Sequence, residues 1–464
     1  KERYRMEQIT KPHCGARLDR LPDCRWHSSM FAIVAFGLLV CWSNAVGGLI
    51  LAQLKALGWT DNSTTATFSA ITTAGMFLGA LVGGIIGDKT GRRNAFILYE
   101  AIHIASMVVG AFSPNMDFLI ACRFVMGVGL GALLVTLFAG FTEYMPGRNR
   151  GTWSSRVSFI GNWSYPLCSL IAMGLTPLIS AEWNWRVQLL IPAILSLIAT
   201  ALAWRYFPES PRWLESRGRY QEAEKVMRSI EEGVIRQTGK PLPPVVIADD
   251  GKAPQAVPYS ALLTGVLLKR VILGSCVLIA MNVVQYTLIN WLPTIFMTQG
   301  INLKDSIVLN TMSMFGAPFG IFIAMLVMDK IPRKTMGVGL LILIAVLGYI
   351  YSLQTSMLLI TLIGFFLITF VYMYVCYASA VYVPEIWPTE AKLRGSGLAN
   401  AVGRISGIAA PYAVAVLLSS YGVTGVFILL GAVSIIVAIA IATIGIETKG
   451  VSVESLSIDA VANK

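Results

Sequence analysis

The sequence predicts an all-α membrane protein of twelve transmembrane helices, arranged as two pseudo-symmetric six-helix bundles with both termini cytoplasmic. Three observations carry that prediction. Hydrophobic residues make up 55% of the 464 residues and charged residues 13%, where a soluble domain carries roughly 25% charged. Apolar runs long enough to cross a bilayer, about 20 residues each, recur along the whole chain. Between them, basic residues gather in every second connection.

The runs lie near 30–52, 66–87, 94–112, 118–142, 154–178, 187–206, 270–293, 306–328, 335–352, 356–382, 395–419 and 424–445. The N-terminal segment carries Arg17, Arg20 and Arg25. The second connection carries Lys89, Arg92 and Arg93, the fourth Arg148 and Arg150, the eighth Lys330, Arg333 and Lys334, the tenth Lys392 and Arg394. The long sixth, 207–269, adds many more, while the odd connections hold only Lys55, Arg186 and Lys304. Basic residues stay on the cytoplasmic side of a membrane, which places the even connections and both termini there. The same pattern accounts for the net charge of +11 with the lipid bilayer, and not nucleic acid, as partner.

The chain then divides into a cytoplasmic N-terminal segment (1–29), a six-helix bundle (30–206), a cytoplasmic linker (207–269), a second six-helix bundle (270–445) and a cytoplasmic tail (446–464). Within the linker, 212–237 alternates charged and apolar residues at helical spacing and reads as one amphipathic helix. A Pro-rich stretch at Pro241, Pro243 and Pro244 follows it. Met6 reads as the natural start, and the first apolar run is too long for a signal-peptide core, so it is expected to stay as a spanning helix. The seven cysteines show no CxxC spacing and are expected as small buried hydrophobes.

The two bundles repeat one another. Asp88-Lys89-x-x-Arg92-Arg93 after the second run answers to Asp329-Lys330-x-x-Arg333-Lys334 after the eighth. Glu143-x-x-Pro146 with Arg150-Gly151 answers to Glu385-x-x-Pro388 with Arg394-Gly395, and Glu209-Ser210 to Glu447-Thr448. Duplicated membrane halves are a recurrent transporter plan, with the substrate held between them near the midplane.

These motifs resemble the major facilitator superfamily, in its sugar-porter and metabolite-symporter branch. Gly87-Asp88-Lys89-Thr90-Gly91-Arg92-Arg93, Arg123-x-x-x-Gly127-x-Gly129, Pro208-Glu209-Ser210-Pro211-Arg212-Trp213-Leu214, Pro384-Glu385-x-x-Pro388 and Glu447-Thr448-Lys449-Gly450 carry the resemblance. It implies alternating access, a cavity lined by helices 1, 4, 5, 7, 8, 10 and 11, and a cytoplasmic gate. For the gate it points to Asp88, Glu143, Glu209, Asp329, Glu385 and Glu447 with Arg92, Arg93, Arg150, Arg212, Arg333 and Arg394, pairing across helices of the two halves and breaking when the cytoplasmic side opens. Arg pairs bidentately with carboxylate, which adds geometry to attraction. The chain also departs from the family: Asn44 aligns where proton-coupled sugar members carry an Asp, Pro332 stands for a usual Gly, and Ile446 for a usual Pro.

Polar side chains at membrane depth seat in cavities or helix interfaces. On helix 7, Asn282, Tyr286 and Asn290 fall on one face, flanked by Gln285 and Trp291. Trp42 and Asn44 on helix 1, Asn162 and Trp163 on helix 5, Tyr377 on helix 10 and Asn400 on helix 11 join them as candidate substrate contacts. Amides both donate and accept, which suits hydroxyl groups. Glu100 and His103 are i, i+3 neighbours, and Glu100 is the candidate proton-coupling residue in place of the missing helix-1 acid; a structural pairing with a cytoplasmic Arg is the bland alternative. Arg123 and Arg404 either meet an anionic substrate or pair structurally. Gly75, Gly79, Gly83 and Gly87 share a face of helix 2 and are expected to pack against Gly397, Gly403 and Gly407 of helix 11.

The function expected is secondary transport of a small polar metabolite, a sugar or polyol first and an organic acid second, with protons as co-substrate if transport is coupled. A transporter-like nutrient sensor is the alternative from another class. No metal-spaced cluster, nucleophile triad or phosphate loop stands in the sequence, so neither an enzyme nor a cofactor is expected.

Overall fold

The structure, a computed structural model, describes residues 12–22, 24–146, 150–245, 258–388 and 391–449. The described chain is all-α. The helices are α1 (Cys14–Asp19), α2 (Arg25–Val40), α3 (Gly47–Ala56), α4 (Asn62–Thr90), α5 (Arg92–Ala111), α6 (Met116–Tyr144), α7 (Arg150–Asn162), α8 (Ser164–Leu175), α9 (Ala181–Tyr206), α10 (Pro211–Ser216), α11 (Tyr220–Thr238) and α12 (Tyr259–Leu262). They continue as α13 (Gly265–Thr298), α14 (Leu303–Met314), α15 (Gly316–Val327), α16 (Arg333–Ser352), α17 (Met357–Val375), a π-helical stretch (Cys376–Tyr382), α18 (Val383–Glu385) and α19 (Lys392–Ile444).

Local sequence sets the ends. Asp61 and Asn115 cap α4 and α6 by accepting from the Thr64 and Phe118 amides at 2.7 and 2.9 Å, which satisfies donors that a helix start leaves open. Gly91, at φ +97°, turns the chain between α4 and α5. Nine helices among the described residues are long and apolar enough to cross a bilayer. The twelve runs outnumber them for local reasons. Runs 30–52 and 154–178 are split, by the break at 41–46 and at Trp163, while 395–419 and 424–445 follow one another directly as two helices of α19, separated only by the kink at Gly422 with its non-helical φ of +65°. A further break at Phe315 separates α14 from α15.

Packing corrects one expectation. The glycine stripe of α4 meets α6, not helix 11. A Cβ on Gly75 or Gly79 would lie 2.3 Å from the Phe124 carbonyl oxygen or 2.0 Å from that of Val128. Gly127 and Gly131 of α6 are pressed in the same way onto the Thr72 and Met76 carbonyls of α4. Two glycine stripes facing one another allow the close backbone approach that dispersion needs in lipid. α19 offers no matching stripe: Gly403 lies against Leu278 and Asn282 of α13, and Gly407 against Tyr286. The N- and C-terminal halves of the chain meet along α3/α13, α4/α19, α8/α14 and α7/α15.

The predicted 212–237 helix is two helices, α10 and α11, because Gly218 adopts φ +71° between them. Together with α1 they form a small unit with its own apolar centre of Cys14, Leu18, Trp213, Leu214, Met227 and Val234. Arg17 pairs with Glu224 and, at 2.7 Å, with Glu231; Arg20 reaches Glu231 at 2.6 Å. Burial works to raise the Glu231 carboxyl, and the two guanidinium groups outweigh it, holding the group below the ordinary glutamate value. A depressed carboxylate contributes stability that is complete above its unfolded value and is lost as pH falls through the folded one. Hydrogen exchange followed down the pH scale should therefore show α1 detaching only below the ordinary glutamate range. Detachment already near neutral pH would show that another group holds it.

Candidate transport site

The polar face of α13 lies where three helices converge. Tyr286 abuts Gly407 of α19 and Thr73 of α4. Beside it, Tyr165 of α8 and Tyr372 of α17 stand edge to face, with ring centres 5.3 Å apart. The Tyr372 hydroxyl is buried against Tyr165 and Gln285, both within hydrogen-bonding reach of it. Asn310 of α14 donates to Ser169 Oγ of α8 at 3.1 Å, and its own carbonyl oxygen is buried and unpartnered. Buried polar groups are otherwise nearly always paired. An open acceptor beside hydroxyl and amide groups, where the two halves touch, is what a hydroxylated ligand can complete.

The other predicted contacts fall at several places. Asn282 is buried and donates to the Leu278 carbonyl at 2.7 Å. Asn290 is buried with its carbonyl oxygen near Gly47. Asn44 sits in the break between α2 and α3, and Trp42 is buried beside Leu49, Phe68 and Trp185. Asn162 donates to Ser158 at 2.8 Å, and Trp163, at the α7–α8 break, meets Phe315, at the α14–α15 break, with ring centres 6.3 Å apart. Asn400 is exposed and donates to Ser396 at 2.9 Å. Tyr377 lies away from the Gln285–Tyr286 group. It is fully buried, stacked on Tyr382 at 5.0 Å, and pressed against Gly337 of α16. The π-helical stretch after α17 turns it into the C-terminal half.

α4 and α19 run antiparallel, and their separation changes along their length. Asn62 donates to Ser419 Oγ at 2.9 Å, and an apolar plug of Ala66, Trp291, Ile295, Val414 and Leu418 fills that end. Midway, Thr73 and Gly407 still converge on Tyr286. Farther along, a Cβ on Gly84 of α4 or on Gly397 of α19 would meet nothing within 4 Å. The Asn62 end is thus filled, while open space adjoins both glycines toward the charged motifs.

Those motifs form two matching clusters, each inside its own half. Arg92 Nε reaches Glu143 at 2.9 Å and Arg92 Nη1 reaches Asp88 at 2.6 Å. Glu209 accepts from the backbone amides of Arg92 and Arg93 at 2.8 and 3.2 Å. In the C-terminal half, Arg333 reaches Glu385 at 3.0 Å and Asp329 at 3.4 Å. Glu447 accepts from the amides of Arg333 and Lys334 at 2.7 and 3.1 Å. Glu209 and Glu447 thus sit on the first amides of α5 and α16, where the helix dipole favours an anion. At Glu447 burial works upward, but these amides, that of Lys449 and the Arg333 charge outweigh it and lower the carboxyl.

Among the described residues the Arg92 and Arg333 pairs close within their own halves, because each of these arginines begins a helix whose neighbours in the same half end in acids. Arg93 donates to the Trp204 carbonyl at 2.5 Å, Arg212 pairs with Asp19 at 2.9 Å, and Arg394 lies over the Tyr259 ring. Arg150 begins α7, and its side chain lies outside the described residues.

Glu100 does not pair with a cytoplasmic Arg. It and His103 are fully buried, with His103 Nδ1 3.4 Å from Glu100 Oε2. His103 Nε2 meets Ser43 Oγ at 2.7 Å, and the Ser43 carbonyl, freed by the helix break, accepts from Arg123 Nη1 at 2.8 Å. Ser43, Tyr165, Ser169 and Asn310 escaped the sequence reading. Asn310 alone carried a signal, an amide inside an apolar run.

The family profile of the Major Facilitator Superfamily matches residues 30–411. The chain is 44% identical over 455 residues to the inner membrane metabolite transport protein YdjE of Escherichia coli, covering 97% of this chain and 99% of that protein. It is 26% identical to the niacin transporter NiaP of Acinetobacter baylyi, over 96% and 99% of the two chains. An inward-open structure of the xylose transporter XylE of E. coli superposes with a TM-score of 0.74 at 16% identity, over 93% and 99% of the two chains. Profile, relatives and fold converge with the duplicated motifs, and the chain belongs to the major facilitator superfamily.

Proposed function

We propose that this protein, a multi-pass protein of the bacterial inner membrane, moves a small polar metabolite, a sugar or polyol, by alternating access between the bundles 30–206 and 270–445. The observation that carries the reading is the group around Gln285 and Tyr286, where the Asn310 carbonyl is buried and unpartnered between the halves beside the hydroxyls of Tyr165 and Tyr372. Open space beside Gly84 and Gly397, against the filled Asn62 end, supports an inward-facing reading of the described conformation, with the basic connections taken as cytoplasmic. The likeness to relatives named for metabolite transport, and to an arabinose-proton symporter of Bacillus subtilis at 26% identity, supports the reading. An organic acid is the second reading, favoured by Arg123, which is buried with a backbone carbonyl and the Phe68 ring, 4.5 Å away, as neighbours.

Uptake of labelled D-xylose, L-arabinose, myo-inositol and nicotinate into proteoliposomes tests both, with and without an imposed inward proton gradient. Concentrative uptake of a sugar or of inositol that needs the gradient is the expected result, with Gln285→Ala and Tyr286→Ala raising KM. Movement of nicotinate alone would replace the sugar reading by the acid one. Immobility of all four compounds would remove both.

A further inference from the structure

We propose that Arg404 of α19 binds the carboxylate of the transported metabolite, so that the substrate class is a polyhydroxy carboxylate, a sugar acid. This rests on the transport reading above and narrows its ligand. Arg404 is partly buried within the first spanning part of α19. Its Nη1 is buried without a partner, and among the described residues the guanidinium makes no ion pair, hydrogen bond or ring contact. Buried charges are otherwise paired, because an unpaired one is costly.

The helices around Arg404 cannot supply the missing anion. α19 packs along α13, α16 and α4, with a smaller contact to α18. α13, α16 and α19 contain no Asp or Glu, and α4 contains only Asp88. Asp88 is held by Arg92, and lies about 22 Å along α4 from Thr73 at 1.5 Å per residue. Thr73 is the α4 residue that faces Gly407. Glu385 of α18 is held by Arg333. Arg123, by contrast, is engaged: it donates to the Ser43 carbonyl at 2.8 Å and stands 4.5 Å from the centre of the Phe68 ring.

Position ties Arg404 to the polar group between the halves. Gly407, the next residue on the same side of α19, abuts Tyr286. Helical side chains lean toward the helix N-terminus, which carries the guanidinium from Tyr286 toward Asn400 and the open space beside Gly397. A sugar acid meets both ends of this arrangement. Its hydroxyls complete the Asn310 carbonyl and the Gln285 amide, and its carboxylate accepts the two parallel hydrogen bonds of the arginine fork. A neutral sugar leaves the guanidinium unpaired, and an acid without hydroxyls leaves the Asn310 carbonyl open.

Uptake of labelled D-gluconate, D-glucitol and D-xylose into proteoliposomes tests the assignment, because the first two share a carbon chain and differ in the carboxylate. D-gluconate should be taken up with the lower KM. Arg404→Gln should raise that KM by about tenfold or more, as loss of hydrogen bonds to a charged group does, and Arg404→Lys, which keeps the charge and loses the fork, should fall between. Thermal unfolding in detergent supplies a readout that a structural arginine would move differently. Without ligand, Arg404→Gln should melt no lower than the unsubstituted protein, since no partner is lost, and D-gluconate should raise the Tm of the unsubstituted protein alone. A lower Tm of Arg404→Gln without ligand, or an unchanged KM for D-gluconate, overturns the proposal. Movement of D-glucitol or D-xylose without D-gluconate overturns it and leaves the transport reading standing. If none of the three moves and none raises the Tm, both fall.

Discussion

Gly79→Ala should destabilise the protein by about 1–3 kcal/mol or more, the range for forcing a methyl group into a filled interior. The new Cβ would stand 2.0 Å from the Val128 carbonyl oxygen and within 3 Å of its carbonyl carbon and Cα. All three are backbone atoms, so no rotamer change relieves the clash, and α4 and α6 must move apart. Gly131 opposes any such shift, since its own position is 2.1 Å from the Met76 carbonyl. Gly84→Ala is the internal control. It lies on the same helix, has open space where its Cβ would go, and should gain a little from the roughly 1 kcal/mol by which alanine exceeds glycine in helix propensity. Thermal unfolding of the detergent-solubilised protein separates the two. Equal behaviour of the two variants would show that the glycine stripe is not the α4–α6 contact.

That stripe also shows where the sequence stops being informative. A four-residue spacing of glycines states that one face of a helix is flat, and it says nothing about which helix lies on it. The expectation fell on helix 11, and only three-dimensional packing shows that the partner is the stripe of Gly127 and Gly131 on α6. The charged motifs behaved in the same way. Their duplication was legible to the residue, whereas the contacts of Glu209 and Glu447 were not, because both bind backbone amides whose orientation depends on where α5 and α16 begin.

The site was half legible for a related reason. Asn282, Tyr286 and Asn290 share a face at helical spacing, so α13 could be read directly. Tyr165, Ser169 and Asn310 come from helices broken at Trp163 and Phe315; Gly161 and Gly316 stand beside those breaks, with Pro166 and Pro318 shortly after, but glycine and proline inside an apolar run are tolerated in spanning helices and do not by themselves mark a break. Ser43 was passed over for Asn44 by one position, a distinction that only the local geometry of residues 41–46 makes.

Arg333→Ala should cost on the order of 2–3 kcal/mol, and Arg92→Ala less. The Arg333 side chain is 7% exposed and bridges Glu385, Asp329 and the Met328 carbonyl, and hydrogen bonds to charged groups are worth about 1.5–3 kcal/mol. The figure stays below that for a fully buried pair, because Glu385 is 34% exposed and Asp329 is 93% exposed, and water screens what they lose. Arg92 is more open, at 17%. The double variant is the informative one. Clusters that each close within one half are independent sites, whose effects add to within about 0.5 kcal/mol. A latch made between the halves would instead couple the two arginines, and the double variant would lose less than the sum. Thermal unfolding of Arg92→Ala, Arg333→Ala and the pair measures the difference directly. Additivity means that each cluster fastens the first turn of α5 or α16 to its own half, so that the halves rock as units with these contacts intact. A coupling above about 1 kcal/mol would return the clusters to the role of a gate that breaks whenever the cytoplasmic side opens.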